Sequence, residues 1–335
     1  MARLVGLDLG TFYTRIWTQD GGIVLRCPSA AAIDSHTHEV VALGGSACRM
    51  IGKTPEDILA YRPIKDGMIT DFDVAARMVS GFFDAKRICT LFQRPMVVVS
   101  TPYHITQVQQ LAVENAVLEA GARAVAGVPS AYAAAVGEGL RVLSPHAHLV
   151  LSVGAGLSES VVIGGGGIIH ARSLRVAGEC FNLAIISFVK KHFGLVIGES
   201  TAEELKVSIG TADPTTDRGS MEVRGRNVRT GLAESCRLIS SDVCEAITPA
   251  VNAIANMMMT TIEECPPEVA TELYDLGALL TGGSSMMPGL RQALARKTGL
   301  RVVSARDPRD NVVKGLGMIA QNPQLVGAGL EFHKR

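Results

Sequence analysis

The chain has 335 residues, enough for two domains with substantial cores. Apolar residues make up 47% of it and charged residues 19%, which indicates a globular protein and excludes a disordered one. Lys plus Arg and Asp plus Glu both number 32, and this balance argues against non-specific nucleic-acid binding. The 7 cysteines include no C-x-x-C pair, and no segment resembles a signal peptide or a membrane span, so we expect a reduced, soluble, cytoplasmic protein.

Strand and helix patterns fill the first half of the chain. The segment ARLVGLDLG (2–10) predicts a strand, and a short turn leads into a second strand, RIWTQ (15–19). The continuous apolar run PMVVVSTP (95–102) is typical of a buried strand. In TQVQQLAVENAVLEAGA (106–122) apolar residues recur at helical spacing, which predicts a helix ending near Gly121.

The second half of the chain repeats this organisation. HLVLSVGAG (148–156) predicts a strand and a turn, and SVVIGGGGIIHARSL (160–174) predicts one further strand. Two helices and a strand–glycine turn–helix unit follow: GECFNLAIISFVKKHFG (178–194), DVCEAITPAVNAIANMMMTTIEEC (242–265) and GALLTGGSSMMPGLRQALARKTG (277–299). A strand–glycine turn–strand unit therefore occurs at 4–17 and at 149–170, which predicts a duplicated α/β fold with ligands in a cleft between its halves.

Three glycine turns are candidates for phosphate binding. LDLGTFYT (7–14) places Asp8 at a strand end and Gly10 in a turn, and similar turns occur in VLSVGAGLSES (150–160) and TGGSS (281–285). Backbone N–H groups of such turns bind phosphate oxygens, and a nearby carboxylate can hold Mg²⁺ through its waters. Each turn alone also suits an ordinary hairpin or a strand-to-helix connection, because short glycine motifs are weak signals.

Several motifs in a fixed order make the pattern specific. They are LDLGTFYTRIW (7–17), IKDGMITDF (64–72), GESTAEELK (198–206), EVRGRN (222–227), ECPPEVA (264–270) and LLTGGSSMMPGL (279–290). With these motifs the chain resembles the bacterial actin family, and most closely its MreB/Mbl cell-shape proteins, from about residue 4 to about residue 320. KDGMITDF, TAEELK and CPPE are distinctive enough to make chance a poor explanation.

The resemblance implies an α/β, two-domain actin-like fold of the ribonuclease H-like/Hsp70-actin superfold, with a nucleotide cleft between the domains. Actin-like domain I is expected at 1–145 plus 310–335, with a small subdomain at 33–65. Actin-like domain II is expected at 146–309, with a small subdomain at 182–245. In the family these domains close on ATP and Mg²⁺, and the protein polymerises into double filaments beneath the membrane.

The resemblance also assigns binding roles to individual residues. ATP and Mg²⁺ are the implied cofactors, and Asp8 is the implied metal ligand. The glycine turns and the helix expected near the ribose and adenine supply the other cofactor-binding residues: Gly10, Thr11, Phe12, Tyr13, Thr14, Gly154, Ala155, Gly156, Glu203, Glu204, Lys206, Gly282, Gly283, Ser284 and Ser285.

Three positions depart from the family pattern where that pattern has acids. Ser152 stands where the family has the metal-holding aspartate of the second turn, and Pro129 and Ser130 stand where the family has the glutamates that position water. Hydrolysis needs a metal at the terminal phosphates and a positioned water, so we expect no catalytic residue and weak or absent hydrolysis. Glu159 matches a position that the family already has and is not evidently a replacement. Losing one charged ligand costs about 1.5–3 kcal/mol, which predicts weakened rather than abolished binding of ATP and Mg²⁺.

An apolar pair flanked by basic residues predicts a membrane contact. In the family a protruding apolar loop here dips into the membrane, and Leu91 and Phe92 lie among Lys86, Arg87 and Arg94. The alternative is an ordinary buried helix end. The resemblance implies a cytoplasmic protein, peripheral at the inner membrane face, which self-associates into filaments or co-assembles with a paralogue. It would position the cell-wall synthesis machinery and would not bind nucleic acid.

Two other motifs have simpler interpretations than a functional one. His36 and His38, and likewise His146 and His148, alternate like strand neighbours, but no acidic or cysteine partner is nearby in the sequence. We therefore interpret them as solvated loop residues rather than metal ligands. The methionines at 257–259 follow a helical pattern, which predicts core packing.

Three other functions stay open at this point. The chain could be a working ATPase whose missing acids are replaced from elsewhere, and phosphate release would distinguish this. A phosphotransferase similar to sugar kinases shares the superfold, but KDGMITDF, CPPE, the chain length and the missing carboxylate argue against it. A non-polymerising regulator that caps or joins an active paralogue would have the same sequence features as a filament protein.

Overall fold

The computed structural model describes residues 3–90 and 93–334. The chain forms two compact units. Their residues are Met1–Val150, Val161–Ala171 and Arg309–Arg335 in the first unit, and Leu151–Ser160 and Arg172–Pro308 in the second. Within the described ranges, no helix is both long and apolar enough to cross a membrane.

Strands and helices alternate along the chain, as expected for an α/β protein. The strands are β1 (Leu4–Leu9), β2 (Tyr13–Thr18), β3 (Gly22–Pro28), β4 (Ala31–Asp34), β5 (Val40–Leu43), β6 (Ile58–Tyr61), β7 (Ile64–Lys65), β8 (Met68–Ile69), β9 (Met96–Thr101), β10 (Ala124–Pro129), β11 (His148–Val153), β12 (Ser158–Gly164), β13 (Gly167–Leu174), β14 (Leu195–Val196), β15 (Ser220–Asn227), β16 (Ala233–Ile239), β17 (Ala278–Thr281), β18 (Val302–Ser304) and β19 (His333–Lys334). The α-helices are α1 (Gly45–Met50), α2 (Phe72–Ala85), α3 (Gln107–Glu119), α4 (Ser130–Glu138), α5 (Gly178–Phe193), α6 (Glu199–Ser208), α7 (Ser240–Glu263), α8 (Pro267–Leu276), α9 (Leu290–Thr298) and α10 (Asn311–Gln321). Short 3₁₀ helices cover Gly283–Met286 and Pro323–Leu325.

A six-stranded sheet in the order β19-β10-β9-β1-β2-β3 organises the first unit. Strands β1, β9 and β10 run parallel to one another. Strand β2 pairs antiparallel with β1, β3 pairs antiparallel with β2, and β19 pairs antiparallel with β10. The side chains of β1 and β9 are buried almost continuously, whereas β2 alternates between buried and more exposed positions. Continuous burial is typical of a strand covered on both faces, and it confirms the buried strand predicted at 95–102.

The other sheets are smaller. A five-stranded sheet has the order β13-β12-β11-β17-β18, and β14-β15-β16 form an antiparallel three-stranded sheet. Strands β5-β4-β6 form another antiparallel sheet, and β7 pairs with β8. In α7, Met257 and Met258 are buried, which confirms core packing for these two methionines.

Helices α2 and α3 cover the six-stranded sheet with apolar side chains. Leu7 of β1, Phe83 of α2 and Val117 of α3 are fully buried in one cluster. Burying such a side chain contributes about 1.5–3 kcal/mol relative to leaving it exposed. Asp71 caps the start of α2: its carboxylate accepts a hydrogen bond from the Val74 N–H at 3.1 Å and so satisfies one donor of the first turn.

Two glycines let α4 and α10 pack backbone against backbone. A β-carbon added to Gly315 would lie 1.7 Å from the carbonyl oxygen of Ala133, and one added to Gly137 would lie 2.0 Å from that of Asn311. Both distances are far below a van der Waals contact, so this helix crossing requires glycine at both positions.

The prediction of a single strand at 160–174 was wrong. Strand β12 ends at Gly164 and β13 begins at Gly167. Between them Gly165 and Gly166 have φ angles of 61° and 82°, in the left-handed region that glycine adopts readily. The run of glycines is therefore a hairpin turn, which an apolar pattern on both sides concealed.

Candidate functional site

The first glycine turn, residues 10–13, connects β1 to β2. The Gly10 N–H donates a hydrogen bond to the carbonyl oxygen of Tyr13 at 3.2 Å. A β-carbon on Gly10 would lie 2.8 Å from that same oxygen. The tight form of the turn therefore depends on glycine at position 10.

Hydroxyl groups hold this turn from inside the fold. The Ser29 hydroxyl donates to the Gly10 carbonyl at 2.7 Å, so Thr14, whose Oγ1 lies 2.9 Å from the Ser29 Oγ, is the donor to Ser29. The Thr11 Oγ1 accepts from the Gly67 N–H at 2.9 Å. Both predicted binding threonines are buried, and these bonds assign them at least a structural role in shaping the turn.

Asp8 lies buried at the end of β1 with both carboxylate oxygens hydrogen-bonded. The Ser100 hydroxyl donates to Oδ1 at 3.0 Å and itself accepts from the Leu9 N–H at 3.1 Å. The Arg15 Nη1 donates to Oδ2 at 3.1 Å. Burial raises the pKa of Asp8 above its ordinary value, although the Arg15 charge and the Ser100 hydrogen bond oppose this rise.

Arg15 belongs to a charge cluster that also contains Asp310 and Arg26. The Arg15 Nε lies 3.3 Å from Asp310 Oδ1, an ion-pair distance without hydrogen-bond geometry. Arg26 donates to Asp310 from Nη2 at 2.8 Å and from Nε at 3.0 Å. Sequence reasoning missed this cluster. The Asp8–Arg15 contact had a detectable signal, because in a hairpin closed by Gly10 and Tyr13 these two residues lie directly opposite each other.

The two aromatic residues of the first turn lie close together. The rings of Phe12 and Tyr13 have centroids 5.5 Å apart, and the Arg62 guanidinium lies 4.1 Å from the Phe12 ring centroid. Tyr13 is 40% exposed. The turn therefore presents an aromatic surface that a nearby cation partly covers.

The second glycine turn, residues 154–157, has the same backbone bond as the first. The Gly154 N–H donates to the Leu157 carbonyl at 2.9 Å, and a β-carbon on Gly154 would lie 3.0 Å from that oxygen. Ser152 is half-buried in β11 just before the turn, and Glu159 is buried in β12 just after it. The two strand–turn–strand units therefore share the same backbone hydrogen bond across the turn as well as the same order of elements.

Neighbouring segments fix the second turn. The N–H groups of Gly178 and Glu179, at the start of α5, donate to the carbonyls of Gly154 and Ala155 at 3.2 and 2.8 Å. The Ser284 hydroxyl also donates to the Gly154 carbonyl, at 2.7 Å. These bonds join the second turn to the third, residues 282–285, and to the start of α5.

The third turn requires glycine at its first position. Gly282 has a φ of +92°, and a β-carbon there would lie 2.4 Å from the Val153 carbonyl oxygen. Ser285 closes the turn by donating its hydroxyl to the Gly282 carbonyl at 2.6 Å. No atom lies within 4 Å of a β-carbon built on Gly283, so the surroundings leave space at this residue.

The predicted binding residues of α6 form an ion pair beside α5. The Lys206 Nζ lies 2.5 Å from Glu203 Oε2 and donates to the Gly178 carbonyl at 3.2 Å. The Asn182 amide also donates to Glu203 Oε2, at 2.8 Å. Glu204, on the next position of the helix, is exposed. Glu203 and Lys206 thus approach the backbone that supports the second turn.

The positions predicted to lack the water-positioning acid lie at the junction of β10 and α4. Pro129 is the last residue of the strand and Ser130 the first of the helix, and the first turn of α4 contains no acidic residue. The side chains at this junction therefore provide no carboxylate to orient a water molecule.

The residues present do not fit a Mg²⁺ site. Mg²⁺ is typically held by one or two carboxylates together with waters and phosphates. Both oxygens of Asp8 already accept hydrogen bonds, one of them from a guanidinium whose charge repels a cation. The second expected position is the neutral Ser152. Among the residues that the structure describes, no group of three or more His, Cys, Asp or Glu side chains could hold a metal.

The predicted membrane pair, Leu91 and Phe92, lies outside the described residues. On either side of it, Thr90 and Gln93 exchange backbone hydrogen bonds of 3.1 and 3.2 Å. Nearby Lys86 and the other basic residues of this segment, Arg87 and Arg94, are exposed. The membrane role of the pair stays a prediction.

Comparison with solved structures defines the class of fold. MreB5 of Spiroplasma citri bound to ADP matches with a TM-score of 0.90 at 27% identity, over 96% of this chain and 97% of that chain. The same protein bound to AMPPNP matches with a TM-score of 0.91 at 27% identity, over 97% of both chains. The chain therefore has the actin-like fold that the sequence resemblance implied.

Sequence comparison identifies the family within this class. The model of the MreB/Mbl protein family matches residues 2–327. The cell shape-determining protein Mbl of Bacillus subtilis (strain 168) is 35% identical over 321 residues, 96% of each chain. The cell shape-determining protein MreB of Escherichia coli (strain K12) is 36% identical over 331 residues, 97% of this chain and 95% of that one. The chain belongs to the MreB/Mbl family.

Proposed function

We propose that this chain is a cell-shape protein that forms filaments at the inner face of the cytoplasmic membrane and positions cell-wall synthesis there. Membership of a family whose relatives are named cell shape-determining proteins supports the proposal.

The chain binds ATP through its glycine turns and hydrolyses it slowly or not at all. Binding is supported by the ADP and AMPPNP complexes of MreB5 and by the matching bonds of Gly10 and Gly154. The observation that carries the proposal is that the first two turns share one backbone hydrogen bond, while Pro129, Ser130 and Ser152 lie where the sequence resemblance places the acids of the family. We infer from this combination that the bound nucleotide stabilises the fold and the filament and is not hydrolysed at an appreciable rate.

Sedimentation of the purified chain with and without ATP tests the filament proposal. We expect a pelleted fraction that appears above a critical concentration and grows with ATP, with filaments visible by electron microscopy. A chain that stays in the supernatant at every concentration, but pellets when a paralogous MreB is added, would instead be a regulator that co-assembles.

The membrane proposal rests on Leu91 and Phe92, and liposome co-sedimentation tests it. The double variant Leu91→Ser/Phe92→Ser should bind anionic liposomes less well, because each apolar side chain contributes about 1.5–3 kcal/mol when buried. Val108→Ser is the matched control, since Val108 is a 77% exposed apolar residue of α3. Equal liposome binding by the wild type and the double variant would refute the membrane contact.

A further inference from the structure

We infer that this chain binds nucleotide without Mg²⁺, and that the Arg15 guanidinium supplies the positive charge beside the first glycine turn. The inference rests on the nucleotide binding proposed above. In nucleotide sites that use the metal, Mg²⁺ neutralises charge on the phosphates. Here the Arg15 guanidinium donates a hydrogen bond to Asp8, the carboxylate that would hold the metal.

The position of Arg15 follows from the hairpin. Arg15 of β2 lies directly opposite Asp8 of β1, and its Nη1 lies 3.1 Å from Asp8 Oδ2. Its side chain is only 12% exposed, and its Nε lies 3.3 Å from Asp310 Oδ1. A guanidinium is a cation with a fixed fork of N–H donors, so Arg15 places a positive group beside the turn.

The cluster keeps this cation in place. Arg15 pairs with both Asp8 and Asp310, and Arg26 pairs with Asp310 as well. A metal ion at Asp8 would have to displace Arg15 or lie beside its like charge, in a buried place where charge interactions are strong. Displacing Arg15 would in turn remove one of the cationic partners of Asp310.

A guanidinium is chemically suited to this task. Its planar array of N–H donors matches the oxygens of a phosphate group, and charge-assisted hydrogen bonds of this kind are roughly twice as strong as neutral ones. Tethered to the protein, it needs no free metal ion. The nucleotide would therefore be bound by backbone N–H groups together with one fixed cation.

Titration of the full-length chain with a fluorescent ATP derivative, in excess Mg²⁺ and in excess EDTA, tests the inference. We expect the wild-type Kd to differ by less than about twofold between the two buffers. Arg15→Gln, which removes the charge, should weaken binding in EDTA by roughly ten- to a hundredfold. Arg15→Lys should restore most of that loss. Arg26→Gln, at the cation that binds Asp310, should change Kd by less than about threefold.

Metal binding gives a second measurement that does not depend on nucleotide. In electron paramagnetic resonance with Mn²⁺ and no nucleotide, the wild type should leave the ion free in solution. Wild-type Mn²⁺ binding, or a wild-type Kd that tightens tenfold or more with Mg²⁺, would overturn the inference and leave nucleotide binding intact. No binding in either buffer would refute nucleotide binding itself, and the inference with it. If Arg15→Gln loses its thermal unfolding transition, the wild-type comparison between buffers still decides.

Discussion

Asp310 links its own ionisation to the stability of the first unit. Burial would raise the pKa of Asp310, but the hydrogen bond and charge of Arg26 and the charge of Arg15 outweigh it and hold the pKa below its ordinary value. Because the folded pKa is lower than the unfolded value of about 3.9, the ionised carboxylate stabilises the fold above that pH. This stabilisation is lost as the pH falls through the folded pKa.

Asp310→Asn should therefore lower the melting temperature at pH 7, and the difference from the wild type should shrink as the pH falls towards 3. Thermal unfolding followed by circular dichroism at a series of pH values measures it. Asp20→Asn, at an exposed turn residue, is the control and should show a small difference at every pH. A constant gap between wild type and Asp310→Asn across the series would contradict the coupling.

We expect the residues at 129, 130 and 152 to determine how fast ATP is hydrolysed once it is bound. Wild-type protein should release phosphate at close to the background rate, even when it is assembled. Ser152→Asp and Ser130→Glu should each have little effect alone, whereas the double variant should do more than either, because both groups act on one transition state. A coupled phosphate-release assay measures this. Wild-type turnover equal to that of an ordinary MreB would show that other residues replace the missing acids.

At the scale of secondary-structure elements, the crossing of α4 and α10 depends on Gly315, whose side chain is a single hydrogen atom. Gly315→Ala would place a methyl group within 1.7 Å of the Ala133 carbonyl oxygen, so the helices must separate. Overpacking of this kind costs about 1–3 kcal/mol and can cost more. Gly167→Ala is the matched control, because no atom lies within 4 Å of its added β-carbon. Chemical denaturation should show a clear loss of stability for Gly315→Ala and nearly none for Gly167→Ala.

The regular elements were predictable where one local pattern decides them. The apolar run at 95–102 and the helical spacing at 106–122 correspond to β9 and α3. The segment 160–174 was not predictable in this way, because its apolar residues continue on both sides of a turn that only backbone geometry reveals. Strand patterns report burial, and they do not report where a glycine run changes direction.

The candidate site was predictable as a set of turns but not as a set of contacts. Glycine spacing located the turns at Gly10 and Gly154, and the structure gives both the same backbone bond. The partners of Thr14 and Asp8 were not predictable from motifs. Ser29 reaches Thr14 through the pairing of β2 with β3, and Ser100 reaches Asp8 from the parallel strand β9. Such partners follow from sheet order, which the motifs do not encode.

For the whole molecule, the weak or absent hydrolysis that we propose should determine how long filaments last. If ATP is bound and not hydrolysed, filaments assembled with ATP and with AMPPNP should disassemble at equal rates after dilution, because both contain an intact triphosphate. Light scattering after dilution measures these rates, and ADP-assembled filaments are the comparison. ATP filaments that disassemble faster than AMPPNP filaments would show that hydrolysis occurs within them.

The hydrogen bonds from Ser284 and Gly178 to the second glycine turn have a consequence for how the sequence around this turn can evolve. Contacts from the start of α5 and from the third turn fix its backbone, and the side chain at position 152 takes no part in those bonds. Substitutions at 152 are therefore open to drift without loss of the fold. We expect that a gene copy with a neutral residue there would still encode the same turn, and that it could regain the charge without rebuilding the turn. After a gene duplication, a few substitutions would then suffice for one copy to differ from the other in ATP hydrolysis.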